Sequence, residues 1–463
     1  MHFVLPSSWF TFFAAFAINL LSYGGGLGYG WSSPALPKLS GHVDPENNPL
    51  STPTTIHEES WIASLLSLGA VISPFMTEVS AEKIGRKYTL LIFALPMILG
   101  NFIIIFASEV WHFYTARFLI GLTEGCIFAT IPVYASEISE PKNRGTIGAI
   151  MLLFISLGHF TSSIIGPSVT IATFSIISLA PCILFLVLFG LLVPESPYYF
   201  VLAGKNQEAQ RSLKQLRRKD DIEEELNEII RAVKEFKDSQ ISNVWVELFM
   251  RKYNFIAFVL ALTLMVLQQF SGLIYIVDYT QKIFDVARTP FKGNVSVMFV
   301  TSVQVISIAL STYIIDKINR KTLLVISLML IACSQVVLGL FFYFQHRGHA
   351  AVEYITWLPI VCLMLFMVSF QLGTCPISYN YPSEILDPTV KTLGNTLVMS
   401  LGLLGEFGIA TLFPMLAEHI GFFVPFWIFG LVSFVAVFFV VFWLPETKGK
   451  SFLEIQNVLR NKL

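Results

Sequence analysis

Long apolar runs alternate with short polar turns along almost the whole chain. A helix needs about 20 apolar residues to cross the hydrocarbon core of a bilayer. Twelve runs come close to this length or exceed it, so the pattern predicts twelve membrane-spanning helices. They cover residues 9–30, 61–79, 89–108, 112–136, 147–167, 171–193, 254–278, 296–315, 322–344, 354–380, 393–416 and 422–444.

One long polar stretch, residues 194–252, separates the sixth run from the seventh. Its charged segments 217–221 and 223–225 lie among apolar residues that are spaced three and four apart. This spacing predicts short amphipathic helices that lie against the protein and keep their charges in water. We therefore expect a six-helix bundle over residues 1–193, a helical linker over 194–252, a second bundle over 253–444 and a tail over 445–463.

The composition is typical of an integral membrane protein. Hydrophobic residues make up 54% and charged residues only 13%, and the mean hydropathy is +0.68. About a quarter of the residues of a soluble domain are charged. A net charge of -1 gives no electrostatic basis for binding nucleic acid. The five cysteines lie inside apolar runs without a recognisable spacing, so we expect packed thiols and neither disulfides, metal sites nor a cofactor.

The basic residues are distributed unevenly over the turns. Of the 30 Lys and Arg residues, all but six lie in segments 80–88, 139–145, 194–252, 316–321, 383–391 and the tail from 445. The six others are Lys38, Arg117, Lys282, Arg288, Lys292 and Arg347. Because cytoplasmic loops carry an excess of Lys and Arg, we expect the basic side, and with it both termini, to be cytoplasmic. On the other side, Asn294 begins a sequon where a glycan could be attached.

Three charged turns occur once in each half of the chain. They are residues 82–87 and 316–321, then Glu137 with Arg144 and Glu384 with Lys391, and finally Glu195 and Glu446. Their offsets of 234, 247 and 251 residues indicate an internal duplication of six spans. The sequence thus predicts an all-α membrane protein of two six-helix pseudo-repeats. Two like-oriented bundles with a cavity near the membrane midplane are typical of an alternating-access carrier.

Several motifs resemble those of one transporter family. Residues 119–125, with Tyr134, Glu137 and Arg144, are similar to the fourth-span signature of the sugar porters of the major facilitator superfamily. Residues 268–272 resemble that family's seventh-span motif, and residues 445–455 its C-terminal motif. The resemblance covers essentially the whole chain and implies the major facilitator fold. The first span, at residues 28–36, looks most like that of the arthropod facilitated trehalose transporters.

The charged turns are candidates for a latch. Opposite charges at a partly desolvated helix end can pair while water is excluded, and the pairs are lost when the bundles separate. The family resemblance also implies that such pairs hold the cytoplasmic side closed. The alternative is that they only anchor the helix ends at the interface, because exposed ion pairs contribute little. The candidate latch residues are Glu82, Arg86, Glu137, Arg144, Glu195, Asp316, Arg320, Glu384, Lys391 and Glu446.

A sugar site needs neutral amides for the hydroxyl groups and aromatic rings for the sugar faces. Gln268, Gly272, Tyr275 and Tyr279 are spaced so that they would share one face of an unbroken seventh helix. The resemblance implies that Gln268 and Gln269 bind sugar hydroxyls; the alternative for any single glutamine is an interhelical hydrogen bond. It also makes candidates of Gln304 and Tyr379, which stand where the family usually has Asn and Trp. His159 is a further candidate, because it lies seven residues after Leu152, where the resemblance implies a sugar-facing position; a hydrogen-bonded core histidine is the alternative. The predicted substrate-binding residues are therefore Gln268, Gln269, Tyr275, Gln304, Tyr379 and His159.

Other positions depart from the family pattern. Leu152, Ile274, Gly402 and Leu403 stand where glucose transporters have polar or Trp side chains. The site is thereby expected to be larger and more apolar than a glucose site. Trehalose, a hexose, a less polar solute or no transported solute are all compatible with it.

Ionisable residues inside the spans bear on the mechanism, because charge in a membrane is costly and usually functional. Asp278 is expected to lie at the outer water, since it ends the seventh apolar run, and Glu406 to line a wet cavity. Proton-coupled members of the family carry an acid after Gly-Tyr in the first span, where this chain has Gly30. We therefore expect facilitated diffusion across the plasma membrane. A proton-coupled symporter and a non-transporting sugar sensor are the alternatives, and no motif of an enzyme is present in the sequence.

Overall fold

The computed structural model describes residues 9–140, 142–219, 221–238, 243–315, 317–387 and 389–448. Within these ranges all regular secondary structure is helical, and twelve segments are long and apolar enough to cross a membrane. The prediction of twelve spans is therefore confirmed. The spans are Trp9–Leu39, Ile56–Ile84, Arg86–Ile105, Val110–Ile138, Gly145–Ser168, Ile171–Leu192, Lys252–Ala287, Gly293–Ile314, Arg320–His346, Leu358–Ile385, Lys391–His419 and Phe423–Phe442.

Spans one to six form what we call the first half, and spans seven to twelve the second half. The first half contains α1 (Trp9–Gly30), α2 (Ser32–Leu39), α3 (Ile56–Ile84), α4 (Arg86–Ile105), α5 (Val110–Ile138), α6 (Arg144–Ile165) and α7 (Ile171–Leu192). The linker contains α8 (Pro197–Leu202), α9 (Asn206–Arg217), α10 (Glu223–Asp238) and α11 (Val244–Met250). The second half contains α12 (Lys252–Gln269), α13 (Leu273–Ala287), α14 (Gly293–Ile314), α15 (Arg320–His346), α16 (Leu358–Ser369), α17 (Cys375–Ile385), α18 (Lys391–His419) and α19 (Phe423–Phe442).

Two spans of the second half are broken near their middle. In span seven the chain turns between α12 and α13, where Gly272 has a φ of 89°. A Cβ at this position would lie 2.4 Å from the ring of Phe429, so glycine satisfies both the backbone and the packing. In span ten a π-helical turn, Phe370–Thr374, joins α16 to α17. Broken helices expose backbone and polar groups inside the membrane, which is tolerated where they line a cavity.

The most extensive contacts between the two halves lie along three helix pairs. α3 packs against α18, α6 packs against α14, and α2 packs against α13. Helices α3 and α18 run antiparallel along the whole contact, which we call the α3–α18 seam. The membrane side that carries the linker and the ends of α3, α5 and α7 is called the linker side below, and the other is the opposite side.

The linker is attached to both halves. Arg217 at the end of α9 donates to the carbonyl of Ile138 at 2.8 Å and to the Glu225 carboxylate at 2.6 Å. These contacts hold α9 and α10 against the first half. Helix α11 instead packs on the second half, where the Asn254 amide donates to the carbonyl of Glu247 at 3.2 Å. The predicted amphipathic character is present in the structure, since α9 and α10 bury Leu213, Leu216, Ile229 and Val233.

Candidate functional site between the two halves

A cavity of about 80 Å³ lies between the two halves at the level of the broken helices. Both halves contribute to its lining. The residues around it are Tyr29, Phe128, Leu152, Ile155, Ser156, His159, Gln269, Leu273, Ile274, Val277, Gln304, Gln371, Cys375, Tyr379 and Glu406. Its wall is thus mainly apolar, with a few amide, hydroxyl, imidazole and carboxylate groups.

The polar groups of the cavity include contacts that cross between the halves. His159 Nδ1 and Gln304 Oε1 are 2.9 Å apart, and both side chains are buried. Because the amide oxygen can only accept, the imidazole must donate through Nδ1. Glu406 of α18 accepts from Ser67 of α3 at 2.9 Å and from the Gln269 amide at 3.3 Å.

An aromatic stack bounds the cavity towards the linker side. The rings of Phe128, from the first half, and Tyr379, from the second, are 5.6 Å apart and nearly parallel at 10°. The stack therefore depends on both halves being close together at this level.

On the opposite side the halves are joined by polar contacts. Lys282 of α13 lies 3.4 Å from Glu59 of α3, whose side chain is only 5% exposed. Ser60 donates to the carbonyl of Thr411 at 2.6 Å. The backbone N–H of Gln281 donates to the Ser33 hydroxyl at 3.2 Å. These contacts close the opposite side.

The charged turns of the linker side pair within each half. In the first half Arg86 lies 2.9 Å from Glu137, and its backbone N–H donates to Glu195 at 3.1 Å. Burial raises the pKa of Glu195, an effect that the surrounding backbone donors oppose. In the second half Arg320 lies 3.8 Å from Glu384, and its backbone N–H donates to Glu446 at 3.1 Å. The repeat predicted from the sequence is thus visible in the contacts.

Of the other four predicted latch residues, Glu82 and Lys391 show no such pair with a described residue. Glu82 is exposed and Lys391 is partly buried. Asp316 and the side chain of Arg144 lie outside the described residues.

A family model described as "Sugar (and other) transporter" matches residues 35–459, which is most of the chain. The chain belongs to this family. It is 30% identical over 452 residues to the facilitated trehalose transporter Tret1 of Polypedilum vanderplanki, covering 97% of this chain and 88% of the relative. It is also 30% identical over 462 residues to the Tret1-2 homologue of Drosophila simulans, covering 99% and 93%.

The fold of this sugar transporter family member is shared with a solved structure. A partially occluded, inward-open form of the xylose transporter XylE from E. coli superposes with a TM-score of 0.75 at 20% identity. The match covers 94% of this chain and 99% of the other. The predicted major facilitator fold, with its two six-helix repeats, is therefore confirmed.

The cavity contains four of the six substrate-binding residues predicted for the transporter. They are Gln269, Gln304, Tyr379 and His159. Gln268 and Tyr275 do not line it. The Gln268 amide is 1% exposed and has no hydrogen-bond partner among the described residues. Tyr275 packs on the rings of Tyr279 and Phe429.

The predicted face of span seven is one residue out of phase with the face that lines the cavity. Gln269, Leu273 and Val277 line it at i, i+4 and i+8, so the helical spacing is kept across the turn between α12 and α13. Gln268 and Tyr275 lie beside this face, and Tyr275 packs against Phe429 of α19. Asp278 also differs from expectation, because α13 continues to Ala287 and leaves Asp278 1% exposed, not at the outer water.

Two buried charges of span four were missed in the transporter sequence. Arg117 is 1% exposed and donates to the carbonyls of Gly28 at 2.7 Å and Ile62 at 3.0 Å. Glu124 is fully buried, and neither carboxylate oxygen has a hydrogen-bond partner among the described residues. The signal was available, since a charged residue inside an apolar run is by itself a functional candidate.

Proposed function

We propose that this chain is a facilitative transporter that carries trehalose or a hexose across the plasma membrane by alternating access. The observation that carries the proposal is the cavity between the halves, where Gln269, Gln304 and Gln371 meet Tyr29 and Tyr379. Neutral amides donate and accept as sugar hydroxyls do, and aromatic rings pack on the apolar faces of a sugar ring. The two relatives are named facilitated trehalose transporters, which supports trehalose as the first substrate.

Within this proposal the predicted binding residues take two roles. Gln269, Gln304, Tyr379 and His159 contact the sugar, because they line the cavity. Gln268 and Tyr275 lie behind the residues that line the cavity and do not contact the sugar. Closure on the opposite side by Lys282 and Glu59 is relieved when the halves rock apart there, and separation of the Phe128–Tyr379 stack opens the linker side.

The orientation and the chain divisions are part of the same proposal. The linker side faces the cytoplasm, as do both termini, which is supported by its excess of Lys and Arg. Residues 1–193 and 253–444 are the two moving bundles, joined by the linker 194–252 and followed by the tail 445–463. A glycan at Asn294 would then lie outside the cell. No catalytic activity is proposed, in keeping with membership of a transporter family.

Proton-coupled transport is the second candidate, and a specific observation favours it. Glu124, Asp278 and Glu406 are all buried within the spans, at 0%, 1% and 4% exposure. Buried carboxylates usually hold a proton or an ion partner. Facilitated diffusion is preferred because Gly30 occupies the position where the family's proton-coupled members carry an acid.

The test is uptake of labelled trehalose and glucose into cells that express the chain, at two external pH values. We expect saturable uptake that does not depend on pH and that falls about tenfold in Gln269→Ala, the loss of one or two good hydrogen bonds. Gln207→Ala, an exposed glutamine of the linker, is the matched control. Strong dependence on external pH would favour the symporter, and no uptake by a surface-expressed protein would reject transport of both sugars.

A further inference from the structure

Glu406 connects the cavity to the contact between the halves. It belongs to α18, lines the cavity and is 4% exposed. One carboxylate oxygen accepts from the Gln269 amide at 3.3 Å within the second half. The other accepts from the Ser67 hydroxyl at 2.9 Å in the first half. The same carboxylate therefore accepts hydrogen bonds from a predicted sugar-binding residue, Gln269, and from Ser67 of the first half.

The carboxylate determines which way the Gln269 amide faces. The Gln269 NH₂ group donates to one Glu406 oxygen and the Ser67 hydroxyl donates to the other, so both oxygens act as acceptors, as those of an ionised carboxylate do. The amide oxygen of Gln269 then points the other way. Glu406 thus selects one of the two orientations of this amide, whereas a group that both donates and accepts would allow either.

The Ser67 bond is the middle of three hydrogen-bonded positions along the described part of the α3–α18 seam. Towards the opposite side Ser60 donates to the carbonyl of Thr411 at 2.6 Å. Towards the linker side Thr396 donates to Glu78 at 2.8 Å. Of the three, the Ser67 bond is the one whose acceptor lines the cavity. A change at Gln269 can therefore reach the seam through one shared group.

We propose that Glu406 is a positioning residue which orients the Gln269 amide towards a bound sugar and links occupancy of the cavity to the α3–α18 seam through Ser67. This inference rests on the proposed transport of sugars for its first part. Its second part concerns the contact between the halves and holds for any solute. Both parts can be separated by substitution, because each bond of Glu406 has a different partner.

Glu406→Gln tests the orientation. In this variant the side chain at 406 donates as well as accepts, so the Gln269 amide can adopt both orientations. We expect the KM for trehalose to rise about fivefold, as for the loss of one hydrogen bond, with less change in the maximal rate. Glu353→Gln, at an exposed glutamate, controls for removal of a charge.

Ser67→Ala tests the link to the seam. It keeps the Gln269–Glu406 bond, so we expect a KM within about twofold of the unaltered protein, which is less than the loss of one hydrogen bond. The matched control is Ser175→Ala, because Ser175 is fully buried and its hydroxyl has no partner among the described residues. Loss of the cross-half bond should increase opening of the cavity.

Opening is measured on Cys375, a native cysteine that lines the cavity and is 6% exposed. Its rate of alkylation by N-ethylmaleimide is followed on the Cys375 peptide by mass spectrometry, in purified protein that elutes as one peak. We expect the rate to rise about fivefold in Ser67→Ala, where the hydrogen bond between the halves is lost. The rise should be smaller in Glu406→Gln, because a neutral amide oxygen accepts the Ser67 hydrogen bond more weakly than a carboxylate does. Ser175→Ala should match the unaltered protein.

The outcomes distinguish this inference from the proposed function. If the unaltered chain transports trehalose and Glu406→Gln leaves its KM unchanged, the positioning role is overturned. If neither variant changes Cys375 alkylation, the link to the seam is overturned, whether or not any sugar is transported. If no sugar is transported but both variants increase alkylation, the proposed function fails while the link is supported.

Discussion

Gln268 and Gln269 are neighbours in the chain but stand in different surroundings. Gln269 lines the cavity and donates to Glu406, whereas the amide of Gln268 is buried without a hydrogen-bond partner among the described residues. An unpaired buried amide destabilises a protein, because it has lost its hydrogen bonds to water. The two residues should therefore respond in opposite ways to the same substitution.

We predict that Gln268→Leu raises the free energy of unfolding by about 1 kcal/mol, because it removes an unsatisfied polar group of similar volume. The KM for trehalose should stay unchanged. Gln269→Leu should instead raise the KM about tenfold with little gain in stability. Thermal unfolding in detergent and uptake kinetics measure both effects. An equal rise of the KM in the two variants would mean that the Gln268 amide also contacts the sugar.

Part of the cavity could be predicted from the sequence. Gln269, Gln304, Tyr379 and His159 were found through motifs and polar residues in apolar runs. Phe128 carries no such signal, because an aromatic residue in an apolar run is equally suited to the lipid or the core. Phe128 bounds the cavity by stacking on Tyr379. This contact depends on how two helices that are distant in the sequence pack together.

At the scale of helices, an ion pair between α3 and α13 is one of the contacts that join the halves on the opposite side. Glu59 is nearly buried, and Lys282 is its partner across the halves. Lys282 also lies 3.9 Å from Glu418, but the Glu418 side chain is 52% exposed. Buried charges lose more than exposed ones when a partner is removed. The two carboxylates therefore make unequal contributions to closure.

We predict that Lys282→Met opens the opposite side, because it leaves Glu59 without its ion pair. The reporter is Ser64→Cys, a buried position of α3 whose hydroxyl has no partner among the described residues. Labelling by a membrane-impermeant maleimide should rise about fivefold, for a shift of about 1 kcal/mol in the equilibrium. Glu418→Gln should leave the labelling nearly unchanged. Equal labelling in both variants would rule out the Glu59 pair as the closing contact.

Hydropathy predicted the spans because each helix must satisfy its own backbone in lipid. It ended the first span too early, at residue 30, whereas the span continues through α2 to Leu39. Helix α2 contains Lys38, and a charged residue at this place in the sequence is expected to be exposed to solvent. In the structure Lys38 is buried and donates to the carbonyl of Gly166 at 2.9 Å. A hydropathy pattern cannot represent a charge that is paired with a distant carbonyl.

For the whole molecule, the orientation in the membrane can be read from one exposed position on each side. Glu46 lies in the exposed segment between α2 and α3 on the opposite side, and Gln207 lies in α9 on the linker side. A cysteine at either position should react with a maleimide when it faces the reagent.

We predict that an impermeant maleimide applied to intact cells labels Glu46→Cys and not Gln207→Cys, because the excess of Lys and Arg on the linker side favours a cytoplasmic location for it. Permeabilising the cells should make both positions reactive. The protein without added cysteines is the control. Labelling of Gln207→Cys in intact cells would reverse the orientation, and with it the expectation of an external glycan at Asn294.

The internal duplication allowed the two-bundle architecture to be predicted, because the same charged turns recur at the ends of equivalent helices. The contacts between the bundles could not be predicted in the same way. Glu59 and Lys282 are 223 residues apart, and neither belongs to a repeated motif. Such pairs depend on the relative placement of the two halves, which the pattern of each helix does not contain.

The linker is divided between the two halves, and this bears on the proposed movement of one half against the other. Helix α10 is fastened to the first half through Arg217 and Glu225, and α11 rests on the second half through Asn254. In the proposed rocking motion, the chain from Asp238 to Asn243 connects the two halves. Five residue steps span at most roughly 17 Å when fully extended. So long as α10 and α11 remain folded, this length limits how far the end of α10 can move from the start of α11.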